Sequence, residues 1–357
     1  MQTSTSPVTE PSAVTTEFLA RRWKRFTLVL TLFALGTVIF LVLNIALGSV
    51  NIPIGDTVRV LLGGSGQEET AATIIRQIRL PRALGAVLGG AVLAVSGLLL
   101  QVFFRNPIVG PFILGISSGA SFMVALVLLG SYVLGVTVVG TLTLSLASFI
   151  GALLVMAVVI AVASRVRDVI TLLVIGLMTG YVASALSSFL IAFAQSENVH
   201  RFVIWTMGSF AGFRWDEVRL LAVAGAVLLT GSYLLAKPLN AFLLGEDYAR
   251  SMGVNIRAFR YGIIFLACAL AAVVTAFAGP VAFIGLAVPH LARLSLGTSD
   301  NRILIPASIL AGAMITSLCD LLARLLFAPV ELPVSATTAL FGAPMVILFL
   351  LKGKTTI

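Results

Sequence analysis

Residues 237–260 read KPLNAFLLGEDYARSMGVNIRAFR, a charged island between two long apolar runs. It carries Lys237, Glu246, Asp247, Arg250, Arg257 and Arg260. Glu246 and Asp247 follow Gly245, Arg250 stands four residues after Glu246, and Gly253 comes just past the end. Acids at the positive end of a helix, a base near its negative end and a glycine stop spell a short helix. A solvated connection with incidental helicity and a docking element for a soluble partner would both be written this way. The fold is decided by what flanks the island, which is apolar sequence long enough to cross a bilayer.

The 357 residues are 59% hydrophobic and 10% charged, with a mean hydropathy of +1.11. Soluble domains carry about 25% charged residues, so these proportions define an all-helical, polytopic membrane protein. The net charge of +9 is no nucleic-acid footprint, because the bases are scattered between apolar runs without a basic face or interleaved aromatics. No nucleic-acid partner is expected. Cys268 and Cys319 lie far apart in apolar segments and give neither a disulfide framework nor a metal pattern.

Working outward from the island, ten spans are predicted: 26–47, 83–104, 112–129, 134–163, 169–194, 218–236, 261–277, 283–296, 303–323 and 334–351. The eighth is short and holds Pro289, which predicts a broken or steeply tilted helix inside the bundle. Residues 1–25 are expected to form a disordered cytoplasmic tail, rich in Ser, Thr and Pro at its start. Residues 26–352 then form one transmembrane domain. A cleaved signal peptide competes at the first run, since Arg21 and Arg22 are paired and small residues follow at 46–48. That run exceeds the roughly 7–15 residues of a signal core, so it is read as the first span.

With the amino terminus inside, fifteen of the 23 Lys and Arg fall on the inner side. This is the positive-inside bias; it puts 237–260 and both termini in the cytoplasm. The outer arginines have two readings, snorkelling to headgroups or receiving an acidic partner or anionic ligand. Gly85, Gly89, Gly90 and Gly97 in the second span permit close helix contact. A short echo, Gly110, Pro111, Phe112, Ile113 and Gly115 against Gly279, Pro280, Phe283, Ile284 and Gly285, admits an inverted repeat of helices 2–5 as 7–10, or chance.

No catalytic or metal-ligating constellation is visible. His200 and His290 have no Cys or acid at ligand spacing, and His290 reads as a polar packing residue. Gly353, Lys354 and Thr355 resemble the end of a phosphate loop, but Leu348 stands where that loop needs glycine, so no nucleotide hydrolysis is expected on this chain. Asp320 lies within a span, with Arg324 one turn on, and reads either as a structural ion pair or as a proton or ion site.

Several motifs together resemble one family: IRLPR at 78–82, SG at 96–97, RNP at 105–107, LGISSGA at 114–120, LGEDYARSMG at 244–253, AGPVAFIGLAVPHLAR at 278–293, DLLAR at 320–324 and ELP at 331–333. In order and spacing they are similar to the permease subunits of bacterial ABC importers for iron–siderophore complexes, haem and vitamin B12. The resemblance implies a homodimer, or a dimer of similar permeases, in the cytoplasmic membrane. It also implies two ATP-binding cassette subunits below and a substrate-binding protein above. No cofactor is implied on this chain, with ATP and Mg on the partner.

By the same resemblance, Leu244, Gly245, Glu246, Asp247, Arg250 and Gly253 match coupling helices that enter a cleft on the ATPase. Arg79, Arg82 and Arg324 match outer arginines that pair with glutamates of the binding protein. Asn106, Pro107 and Ile108 match an inner gate. Val169 and Ile170 stand at a second gate that is small and polar in the vitamin B12 member, which disfavours that cargo. The expected function is import of a ferric chelate, siderophore first, haem next and vitamin B12 third. An ion-driven secondary transporter using Asp320 is the rival; a receptor or scaffold is disfavoured by the lack of a soluble sensory domain.

Overall fold

A computed structural model describes residues 13–48, 50, 52–62, 69–130, 140–166 and 168–351. Helices α1 (Ala13–Ala46) and α2 (Ile54–Leu61) come first. Helix α3 (Glu69–Thr73) then runs through a π-helical turn, Ile74–Arg79, into α4 (Leu80–Phe103). A 3-10 turn, Pro111–Leu114, leads to α5 (Ile116–Gly130), followed by α6 (Thr141–Ala163), α7 (Val169–Ala192), α8 (Ser196–Thr206) and α9 (Trp215–Leu234). The remainder is α10 (Ala236–Leu243), α11 (Glu246–Ser251), α12 (Ile256–Ala278), α13 (Ile284–Leu296), α14 (Asn301–Leu325) and α15 (Val334–Leu351). Among the described residues there is no strand.

Each predicted span is met by a helix. Among the described residues seven are long and apolar enough to cross a membrane: α1, α3–α4, α6, α7, α9, α12 and α14; the shorter α5, α13 and α15 are apolar too. The start of the fourth span falls partly on 131–139, outside the described residues, and α6 begins at Thr141.

Helix α4 is the axis, packed on α14, α12, α13 and α9 and buried along nearly its whole length. Hydrocarbon gives helices no hydrophobic reason to associate, so close approach of backbones takes over. A Cβ on Gly97 would lie 1.6 Å from the carbonyl oxygen of Gly285 in α13, and one on Gly90 would lie 2.3 Å from that of Gly312 in α14. Gly119 of α5 and Gly151 of α6 meet in the same way.

The Gly97 contact also explains how α13 runs unbroken through Pro289, which removes the broken helix from the two forms expected there and leaves the tilted one. Proline has no N–H for the carbonyl four residues back, which is that of Gly285. That carbonyl is turned onto Gly97, and Gln101 Nε2 of α4 donates to the adjoining Leu286 carbonyl at 2.9 Å. The defect is thus covered by protein, the condition for irregular backbone at membrane depth.

Both α5 and α13 follow a Gly-Pro and begin just after a left-handed residue, Gly115 (φ 75°) and Phe283 (φ 65°). The structural echo therefore pairs Gly115 with Phe283, two residues from the pairing with Gly285 read in the sequence. The tail also needs correcting. Residues 1–12 lie outside the described ones, but 13–25 continue α1, so disorder does not extend to residue 25. Arg25 donates from Nε to the Ser295 carbonyl at 2.9 Å and from Nη2 to that of Leu294 at 3.1 Å, satisfying unpaired carbonyls at the C-terminus of α13.

Hydrogen bonds sort the connections into two ends. Arg25 on α13, Arg105 on the Phe242 carbonyl (2.9 Å) and Asn240 on Asp300 (2.6 Å) belong to one end. Trp215 on the Arg76 carbonyl (3.0 Å) and Ser335 on the Pro280 carbonyl (2.6 Å) belong to the other. Residues 237–260 therefore share an end with the start of α1, as ten alternating spans require.

Candidate functional site

The island folds as two helices. Helix α10 is the fixed one. The Asn240 amide donates to Asp300 at 2.6 Å, and its oxygen accepts from both the backbone N–H and the side-chain amide of Asn301 at 2.8 Å, which fastens α10 to the start of α14. Phe242 stacks on Phe103 and meets Phe259 at a tilt, and the Arg105 guanidinium lies 5.0 Å from its ring centre. Arg105 has a left-handed backbone (φ 46°), so the RNP loop is held to α10 in a conformation that a non-glycine residue seldom takes.

Helix α11 stands off that base between two glycines, Gly245 (φ 132°) and Gly253 (φ 84°), whose backbones a side chain would strain. Glu246 pins it inward, accepting from Arg260 at 2.7 Å and from Arg250 at 3.4 Å, and Ala249 is buried beneath. Asp247 points out, with Arg250 at 3.6 Å. Leu244 on the link before α11, Tyr248 on the helix and Met252 at its C-cap are apolar side chains exposed at 69, 47 and 64%. Tyr248 and Met252 were not among the residues singled out in the sequence.

Of the residues expected to form gates, Asn106 turns back so that its Oδ1 accepts from the Ile108 N–H at 3.0 Å, with Pro107 between them, and Ile108 is exposed. Val169 opens α7 behind the Asp168 cap, and Ile170 beside it is 71% exposed. Both segments lie at the α11 end of the bundle, one following α4 and the other opening α7.

At the opposite end the three expected docking arginines are buried and engaged within the chain. Arg79 donates to the Ile45 and Ala46 carbonyls at 3.0 and 2.8 Å and to that of Val50, satisfying the C-terminus of α1. Arg82 holds Asp320 at 3.1 Å and Glu331 at 2.9 Å. Arg324 reaches the Asn44 side chain at 2.5 Å and Asp320 at 3.8 Å. Each arginine is only 4–5% exposed. Within this chain each guanidinium, removed from water, takes the nearest acceptor, which the chain itself supplies. Together with Glu331 they line a cavity of about 190 Å³.

Asp320 is fully buried between Arg82 and Arg324. Of the two sequence readings the structural ion pair is the one present, with Arg82, unforeseen, as its nearer partner. Among the described residues no three His, Cys, Asp or Glu side chains gather at metal-binding distance.

Residues 36–352 match the FecCD transport family. The vitamin B12 import system permease protein BtuC of Klebsiella pneumoniae subsp. pneumoniae is 37% identical over 335 residues, covering 94% of this chain and 96% of that one. A putative ABC transporter permease protein of Methanocaldococcus jannaschii is 31% identical, covering 92% and 98%. Among solved structures, an inward-facing conformation of a putative metal-chelate type ABC transporter superposes with a TM-score of 0.80 at 30% identity, covering 91% of this chain and 99% of that one.

Proposed function

The chain belongs to the FecCD transport family, as a permease of the ABC importer type, and on that premise we propose that it carries a large metal chelate, a ferric siderophore first, into the cytoplasm. The observation that carries the mechanism is the exposed apolar set Leu244, Tyr248 and Met252 on and beside α11. An exposed apolar set at a helix pinned by Glu246 and Arg260, away from the apolar spans, suits burial in a cleft of a soluble ATP-binding subunit. Both termini then lie in the cytoplasm, a placement that the distribution of bases supports.

Two copies surround the path. In support, α7 leaves a long run of large apolar side chains exposed, Ile170, Met178, Tyr181 and Phe189 among them, with Ser184 and Ser188 between, a face a second copy could cover. ATP draws the two ATPases together; α11 follows, α10 passes the motion to α14 through Asn240 and Asp300, and the bundles exchange an outward opening for an inward one. A binding protein delivers the chelate at the opposite end. It docks on the surface around the buried arginine cluster, whose residues shape that surface. ATP and Mg belong to the ATPase subunits.

Ile170 favours the ferric chelate, being apolar where the resemblance leads to small polar residues in the vitamin B12 member. The relatives named for vitamin B12 import favour that cargo as a second reading. The test is reconstitution with the ATPase subunits and the binding protein, comparing wild type with the triple variant Leu244→Ser, Tyr248→Ser, Met252→Ser. Loss of ATPase association and of ATP-driven uptake is expected. Association unchanged by the triple variant would overturn the docking role. Uptake of cyanocobalamin but no ferric siderophore would replace the first cargo with the second.

A further inference from the structure

A cleft of about 780 Å³ opens where α6 ends and α12 begins, against the flank of α11. Arg165, Arg250, Arg257 and Arg260 line it, and Glu246 is its acid. That acid is committed. One of its oxygens accepts from Arg260 and the other from Arg250, so a single carboxylate steadies two guanidinium groups at the rim and leaves a surplus of positive charge. Among the described residues, Arg165 and Arg257 have no side-chain ion pair or hydrogen bond. Arg250 also meets Asp247 at 3.6 Å, so it is Arg165 and Arg257, beside the Glu246-bound pair, that leave the concavity attractive to an anion.

The depth of the cleft narrows what that anion is. Helices α6 and α12 are both apolar spans, and their ends meet here, at the level where hydrocarbon gives way to phospholipid headgroups. Tyr261 lines the cleft, an aromatic residue of the kind that sits at that level. Guanidinium forks match phosphate oxygens in pairs, and basic pockets between spans on the cytoplasmic side suit anionic headgroups. We infer that the cleft binds a phosphate group, presented by an anionic phospholipid or by a soluble phosphoester. This site lies outside the importer reading and does not depend on it, since binding is measured on the permease chain alone.

The experiment uses the full chain in an uncharged detergent. It titrates short-chain phosphatidylglycerol below its micellar concentration, glycerol 3-phosphate and, as a zwitterionic control, short-chain phosphatidylcholine. Wild type is expected to bind phosphatidylglycerol saturably, at least tenfold more tightly than the double variant Arg165→Gln, Arg257→Gln and more weakly as salt rises. Binding of phosphatidylglycerol alone assigns the lipid source; equal binding of glycerol 3-phosphate assigns the soluble one. Failure of wild type to bind either, or binding unchanged in the double variant, overturns the inference. So does loss of ATPase association in the double variant with no phosphate binding in wild type, which would give these arginines to acidic groups of a protein partner. Should the double variant melt early, Arg257→Gln alone is expected to weaken binding severalfold, and Arg165→Lys with Arg257→Lys to retain most of it. An Arg257→Gln variant that binds like wild type overturns the inference equally.

Discussion

Arg82 grips Asp320 through Nε and Nη2 at 3.1–3.2 Å, joining α4 to α14 across 238 residues of sequence. Its remaining nitrogen, Nη1, serves both oxygens of Glu331. With Arg324 on the far side of the same carboxylate, Asp320 is the anion that allows two buried cations to coexist. The cluster sits at the end of the bundle opposite α11, and its energetics differ from those of an exposed ion pair.

Asp320→Ala should destabilise the protein by about 3–5 kcal/mol, the cost of leaving buried partners unpaired. Thermal unfolding in detergent, followed by intrinsic fluorescence, reads the loss. Asp320→Asn should also melt early. Near-normal stability of Asp320→Asn combined with altered proton dependence of uptake would restore Asp320 as a coupling acid.

Gly97→Ala should cost about 1–3 kcal/mol or prevent folding, because its methyl would meet the Gly285 carbonyl and force α4 from α13. Gly262→Ala is the matched control, its nearest atom lying 3.8 Å away. A size-exclusion profile after graded heating should separate the two variants clearly.

Tyr248→Ser and Met252→Ser should each leave the melting temperature nearly unchanged, since exposed substitutions away from packed features stay within about 0.5 kcal/mol. Both should reduce copurification with the ATPase subunits. A fall in stability without a change in association would mean that these side chains pack against this chain.

Asn240→Ala removes a charge-assisted hydrogen bond to Asp300 and the acceptor of two bonds from Asn301, and should cost about 1.5–3 kcal/mol. In the reconstituted importer it should lower chelate moved per ATP hydrolysed more than it lowers hydrolysis. Equal loss of both would make Asn240 a stabilising residue only.

The spans were legible because a run of apolar residues is a one-dimensional property. The tail was less so: what orders Arg22 and Arg25 is Thr298 and the carbonyls at the end of α13, some 270 residues away in sequence. The charges and glycines of α11 could be read directly. Tyr248 and Met252 could not, since in a chain that is 59% hydrophobic an apolar residue carries no mark of exposure. The arginines show the same limit. Sequence spacing offered Arg324 as the partner of Asp320, one helical turn away, whereas the nearer partner, Arg82, is brought in by the crossing of α4 on α14 at Gly90 and Gly312.

Helix α14 begins at the Asn240 fastening and ends in the arginine cluster. Asn301 and Asp320 lie on one unbroken rod, about 28 Å apart at 1.5 Å per residue. A stiff rod keeps that distance constant while its angle can change. A tilt imposed by α10 must therefore emerge, with leverage, as a sideways swing beside Glu331, unless the rod yields at Pro306, where bending costs least.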